Sequence, residues 1–175
     1  IKVSTISPLG TDATKTITIG TSGDKITLPS SATLTNFPGV PAFAVRKTGG
    51  DQSYSQNTAT KVTFDTELLD TNDAFASDKF TVPSGHAGTY SFHVSIMMGA
   101  ISADSAYEIK LYLNGSSYTT LVSYITDESE NPIFAGVQSL SLSEGDYVEV
   151  YGTTNGGAGN FKDDSCQFTG FKLGA

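Results

Sequence analysis

Few side chains in this chain could do chemistry, and their spacing argues against catalysis. Among 175 residues there are two histidines and one cysteine. His86 falls in a stretch of turn residues, and His93 lies on the polar side of an alternating run. Neither stands beside a nucleophile motif, and a serine-rich chain always offers a Ser/His/Asp set on paper, so that combination is uninformative without geometry. Neither the histidines nor Cys166 have zinc-ligand spacing. Cys166 precedes an aromatic run, where a buried and unreactive thiol is expected. As the only cysteine, it cannot form an intramolecular disulfide. Carboxylates gather in Asp127-Glu128-Ser129-Glu130-Asn131 and Asp163-Asp164, with Asp104 in another turn-rich stretch. Oxygen ligands on loops suit calcium, which makes Asp127, Glu128 and Glu130 its candidate ligands. The plainer reading is a solvated acidic loop, and the regular alternation of an EF-hand is absent. The glycine-rich segment from Asn155 to Asn160 is followed by no lysine-serine pair, so it reads as a flexible loop and not a phosphate cradle.

Charge and hydropathy narrow the partners. The net charge is −8, and no basic stripe of the kind nucleic-acid binding requires is visible. Anionic membrane surfaces are disfavoured for the same reason, and no apolar run reaches the roughly 20 residues that span a bilayer. Tyr112, Tyr118, Tyr124, Tyr147 and Tyr151 offer apolar area with a polar tip, which suits subunit packing or sugar stacking. The chain opens Ile1-Lys2-Val3-Ser4 with no initiator methionine, which reads as a fragment or a processed piece of something longer.

The elements that must position these groups are strands. Ser, Thr and Gly are abundant between dispersed Leu, Ile, Val and Phe, a composition that favours strands and turns over helix. Residues 1–40 form one region. Thr16-Ile17-Thr18-Ile19 and Lys25-Ile26-Thr27-Leu28 flank a Gly-Thr-Ser-Gly-Asp turn, Thr33-Leu34-Thr35 follows, and Phe37-Pro38-Gly39-Val40-Pro41 reads as a linker. These runs are too short and too thinly apolar to bury themselves, so the region reads as a β-rich stem needing partner chains. Residues 41–175 form the second region. Strands are expected near 42–47, 60–65, 78–82, 88–97, 106–113, 118–126, 133–142, 145–152 and 164–173, separated by turn signals. Asn114-Gly115 marks the clearest hairpin, because both residues tolerate the positive φ angles of a type I′ turn.

Two runs carry most of the information. In Gly88-Thr89-Tyr90-Ser91-Phe92-His93-Val94-Ser95-Ile96, large apolar side chains alternate with small polar ones, so one face is buried and one is wet. In Phe168-Thr169-Gly170-Phe171-Lys172-Leu173, two phenylalanines have opposite parity, so both faces are partly apolar. With Phe64 and Phe80 before them, and Leu140-Ser141-Leu142-Ser143-Glu144-Gly145-Asp146-Tyr147-Val148-Glu149-Val150 between, these motifs resemble the globular head of complement component one-q. That head belongs to the jelly-roll superfamily that includes tumour necrosis factor. Phe64, Phe80, Gly88, Tyr90, Phe92, Phe168, Gly170 and Phe171 carry the likeness. Val94 departs from it, standing where an aromatic is common. The resemblance implies an all-β antiparallel jelly-roll sandwich over about residues 41–174, assembled as a homotrimer. It also brings some members' calcium binding near the trimer apex. Stem and head together look like a non-enzymatic bacteriophage fibre or head-decoration tip in a virion. It would work by attachment to other virion proteins or to a host surface receptor, glycan or protein. The alternative is a secreted or cell-surface bacterial adhesion module. No cofactor is expected, calcium aside.

Overall fold

A computed structural model of the chain describes residues 39–127 and 131–174. The stem runs read at 16–35 lie outside the described residues, as do Glu128 and Glu130. The described strands are β1 (Ala42–Arg46), β2 (Gln52–Tyr54), β3 (Thr60–Lys61), β4 (Thr66–Asp70), β5 (Phe75–Ala76), β6 (Lys79–Thr81) and β7 (Gly88–Gly99), then β8 (Ser105–Leu113), β9 (Ser116–Thr126), β10 (Ile133–Leu142), β11 (Tyr147–Thr154), β12 (Gly159–Phe161) and β13 (Gln167–Gly174). No helix occurs among the described residues, as the composition implies.

The strands form two antiparallel sheets. Sheet one has the order β2-β12-β7-β13-β1-β4, with β10 on the free side of β7. Sheet two runs β5-β6-β11-β8-β9, with β3 beside β11. Neighbours in sheet one are distant in sequence: Phe43 sits opposite Gly170, and Gly170 opposite Phe92. Such crossing between sheets is the jelly-roll arrangement.

Between the sheets lies an aromatic core. The Phe43 ring stacks on Phe80 at 5.0 Å and meets Phe168 edge-on at 4.8 Å, while Phe92 stands 5.6 Å from Phe80 and 5.9 Å from Phe168. Phe80, Tyr90, Phe92 and Phe168 are fully buried, and Phe64 nearly so. Burying each such ring contributes about 1.5–3 kcal/mol. Gly170 is the gap that seats two of the rings, since a Cβ there would stand 2.6 Å from Phe43 and 2.7 Å from Phe92.

The Asn-Gly turn has the expected geometry, with φ of 52° at Asn114 and 78° at Gly115. Asn114 also ties the hairpin to the β10–β11 turn: its Oδ1 accepts from the Tyr147 N–H at 2.9 Å, and its Nδ2 donates to Asp146 Oδ1 at 2.8 Å. Gly88 turns sharply into β7 with φ of 150°, and its missing side chain leaves room for Gly174 and Lys172.

One expectation is corrected. The Asn155–Asn160 segment is not an open flexible loop, because β12 begins within it and pairs with both β2 and β7. A Cβ on Gly156 would strike Ser105 and the Tyr107 hydroxyl at 2.6 Å, and one on Gly159 would strike Tyr54 and the Gly99 carbonyl. Glycine stands here for close approach, not for mobility.

Cys166 is fully buried just before β13, its Sγ 3.7 Å from the Met97 carbonyl. Burial pushes its thiol up to about 11, so thiolate is scarce at neutral pH. A maleimide or disulfide reagent at pH 7.5 will leave the native protein unlabelled and react fully once denaturant is added. Labelling of the folded chain at the rate of a free thiol would contradict this burial.

Candidate functional site

The two wet faces of the sandwich differ in chemistry. On the outer face of sheet two, side chains from β8, β11 and β3 satisfy one another. Lys61 pairs with Glu149 at 3.3 Å, and Lys110 with Glu108 at 2.7 Å. Tyr112 and Tyr151 stack with centroids 3.8 Å apart, and the Lys79 ammonium sits 4.3 Å over the Tyr147 ring. Burial, then the nearby Glu149 charge, raises the Tyr151 phenol above its ordinary value. Three of the five tyrosines singled out in the sequence are therefore occupied within the protomer.

The outer face of sheet one is built differently. Strand alternation places Ala42 and Ala44 of β1, Thr169 and Phe171 of β13, Ser91, His93 and Ser95 of β7, and Ala135 and Val137 of β10 on this face. Its central row runs Leu69, Ala44, Thr169, His93, Val137 across the ladder. Phe171 is 42% exposed, three residues from a completely buried Phe168, so the opposite parity read in the sequence holds. Phe171 carried the family likeness but lies outside the core, its ring 5.7 Å from the His93 ring. A shallow concavity of about 310 Å³ opens here, with His93, Ser95, Ala135, Val137, Gln167 and Thr169 in its lining.

Charge is almost missing from this surface. Arg46, at the β1 end of the row that passes through Gln167 and Ser95, is the single charged side chain that β1, β7, β10 and β13 place on it. Its buried Nε has no hydrogen-bond acceptor. In a chain of net charge −8, a sheet face with one charged side chain and exposed Phe171, Val137 and Leu173 has the composition of an interface centre and not of a solvated surface.

A second apolar region follows the neighbouring edges of β9 and β10. Tyr118, Tyr124, Ile125 and Ile133 are exposed there, Ile125 at 71%. Tyr124, Val122, Pro132, Ile133 and Phe134 line a cleft of about 400 Å³ between the two strands. Edge strands carrying large apolar side chains normally need covering. This ridge contains the remaining two tyrosines of the sequence reading, and neither β9 nor β10 contributes a charged residue to it.

The candidate calcium ligands are not assembled by the described structure. Asp127 is exposed at the end of β9, and Glu128 and Glu130 lie outside the described residues. Among the described residues no three His, Cys, Asp or Glu side chains stand close enough to share a metal ion. Asp104 and Asp164 instead occupy left-handed turn positions, with φ of 56° and 54°. The Asp163 N–H donates to Asp51 Oδ1 at 3.1 Å, and Asp51 also pairs with Lys162. His86 and His93 are not brought together with a nucleophile; Ser91 Oγ, 3.2 Å from His93 Nε2, is its hydrogen-bond neighbour.

Comparison with known proteins agrees with this architecture. The model of the C1q domain family matches residues 42–173. The globular domain of a zebrafish complement 1qA protein superposes with a TM-score of 0.54 at 21% identity, covering 77% of this chain and 98% of that one. Murine APRIL superposes with a TM-score of 0.53 at 14% identity, covering 77% of this chain and all of the other. No curated protein sequence matches. At these identities the superpositions speak for the fold, while the family match rests on residues spanning every strand from β1 to β13. The chain belongs to the C1q domain family.

Proposed function

We propose that this chain is a non-enzymatic, homotrimeric attachment or assembly head that ends a fibre-like or decorating virion protein of a bacteriophage. The observation that carries the assembly part is a pair of unlike apolar regions that meet along β10: the nearly uncharged outer face of sheet one and the β9–β10 edge with Tyr118 and Tyr124. A twofold dimer would use one self-complementary patch. Two different patches fit a head-to-tail contact that closes into a ring, each copy laying its ridge on the next copy's face. Membership in the C1q domain family supports three copies. The virion reading draws on the weakly apolar Ile/Thr runs before residue 40 and on a chain with no disulfide.

Light scattering on the full chain at micromolar concentration is the direct test. Three times the 18.3 kDa of one chain is expected. Phe171→Asp should give a folded monomer, because a carboxylate would be forced into an apolar contact. A wild-type monomer would overturn the proposal, and so would an unchanged trimer in the variant. For the virion part, antibody against the head should label particles and block host adsorption. Unlabelled particles would remove it.

A further inference from the structure

We infer that His93 makes this assembly acid-sensitive: protonation of its imidazole opens the ring of copies. The inference rests on the outer face of sheet one being the contact surface. His93 lies at the centre of that face, on the strand held between β10 and β13, with Val137 and Thr169 directly across the ladder on either side. Along its own strand stand Ser91 and Ser95, and the Phe171 ring lies 5.7 Å away.

Among the described residues no carboxylate of β1, β7, β10 or β13 faces the His93 ring, whose hydrogen-bond neighbour is the neutral Ser91 hydroxyl, 3.2 Å from Nε2. The residues β10 and β13 direct to this face from Ile133 to Ser141 and from Gln167 to Leu173 include no carboxylate. On β1 the charged group is Arg46, a cation that opposes a second positive charge. The ridge that would cover the face contributes tyrosines and aliphatics from β9 and β10, again without a carboxylate in either strand. In the isolated protomer His93 is exposed, so water solvates either protonation state. Covered by a neighbour, the neutral ring fits an apolar surface, whereas the cation would be desolvated without a counter-ion.

The direction follows from proton linkage. The separated protomers bind protons that the assembly excludes, so assembly weakens as pH falls. Three copies release into water three imidazoles that then protonate. The trimer dissociation constant should therefore rise by up to about a thousandfold per pH unit as the solution is acidified.

Analytical ultracentrifugation of the full chain from pH 8 to pH 5 tests this. A trimer at pH 8 that dissociates toward pH 5, with far-ultraviolet circular dichroism retained, is the expected result. His93→Gln and His93→Phe should flatten the profile, while His86→Gln should leave it steep. Phe in place of His93 keeps a ring against Phe171, so it reports even where the Gln variant assembles poorly. A wild-type trimer equally stable at pH 5 and pH 8 would overturn the inference and leave the trimer intact. An undiminished slope in both His93 variants would do the same. A monomer at pH 8 would instead remove the underlying assembly.

Discussion

Phe168→Ala is expected to unfold the head or nearly so. The ring is fully buried and touches Phe43, Phe64, Phe75 and Phe92, with centroid distances from 4.8 Å to 6.1 Å. Replacing it removes the transfer free energy of a phenyl group and leaves a cavity bounded by other rings. Those rings are themselves held by both sheets and cannot collapse into the space. The loss is about 3–5 kcal/mol, which lowers Tm by about 10–20 °C in a domain of this size. Phe171→Ala is the matched control, because it deletes the same group three residues away on the opposite face. It should leave the protomer's denaturant midpoint nearly unchanged at concentrations where the protomer is alone, and weaken self-association. Equal loss of protomer stability from both would mean that the strand's two faces are not separated as described.

Gly170→Val should have the next largest effect, by the opposite mechanism. The first added atom would already stand 2.6 Å from Phe43 and 2.7 Å from Phe92. Both neighbours are buried rings and not flexible chain ends, so neither can yield cheaply. Overpacking of this kind costs about 1–3 kcal/mol, and a branched side chain belongs at the upper end. Urea denaturation measures it, with a lowered midpoint and an unchanged slope expected. If the variant matched wild type, β13 would have to shift away from β7, which hydrogen exchange along that ladder would reveal.

The long strands were legible in the sequence because their alternation is local. β7 reads directly from Tyr90, Phe92, Val94 and Ile96, and β10 begins and ends where its pattern does. The short strands were not legible. β12 is Gly-Asn-Phe within a run of turn residues, and what makes it a strand is pairing with β2 and β7, more than fifty residues earlier. In β4, Leu68 and Leu69 are both exposed, and the register slips against β1 between Ala44 and Val45, so no period-two pattern survives. The candidate interface was half legible. The parity of Phe168 and Phe171 announces a two-faced strand, but nothing local to β10 tells that Val137 will stand beside His93. That adjacency, and the uncharged face it creates, arise from a register that sequence spacing does not encode. The tyrosines misled for a related reason: the Tyr112–Tyr151 stack forms across β8 and β11 and withdraws both rings from binding.

The β1–β13 ladder also bears on how the head comes into being. Phe43 and Gly170 must meet across nearly the whole length of the head, and β13 is the last of its strands to be synthesised. Chain growth at about 5–20 residues per second leaves β1 and β7 waiting several seconds on the ribosome without the strand that lies between them. Contacts this distant fold slowly, and an interrupted chain lacking Phe168 can close neither the sheet nor the aromatic cluster. The outer face proposed to receive other copies forms with that same strand. A chain whose synthesis stops before β13 therefore lacks that face, a dependence set by topology alone.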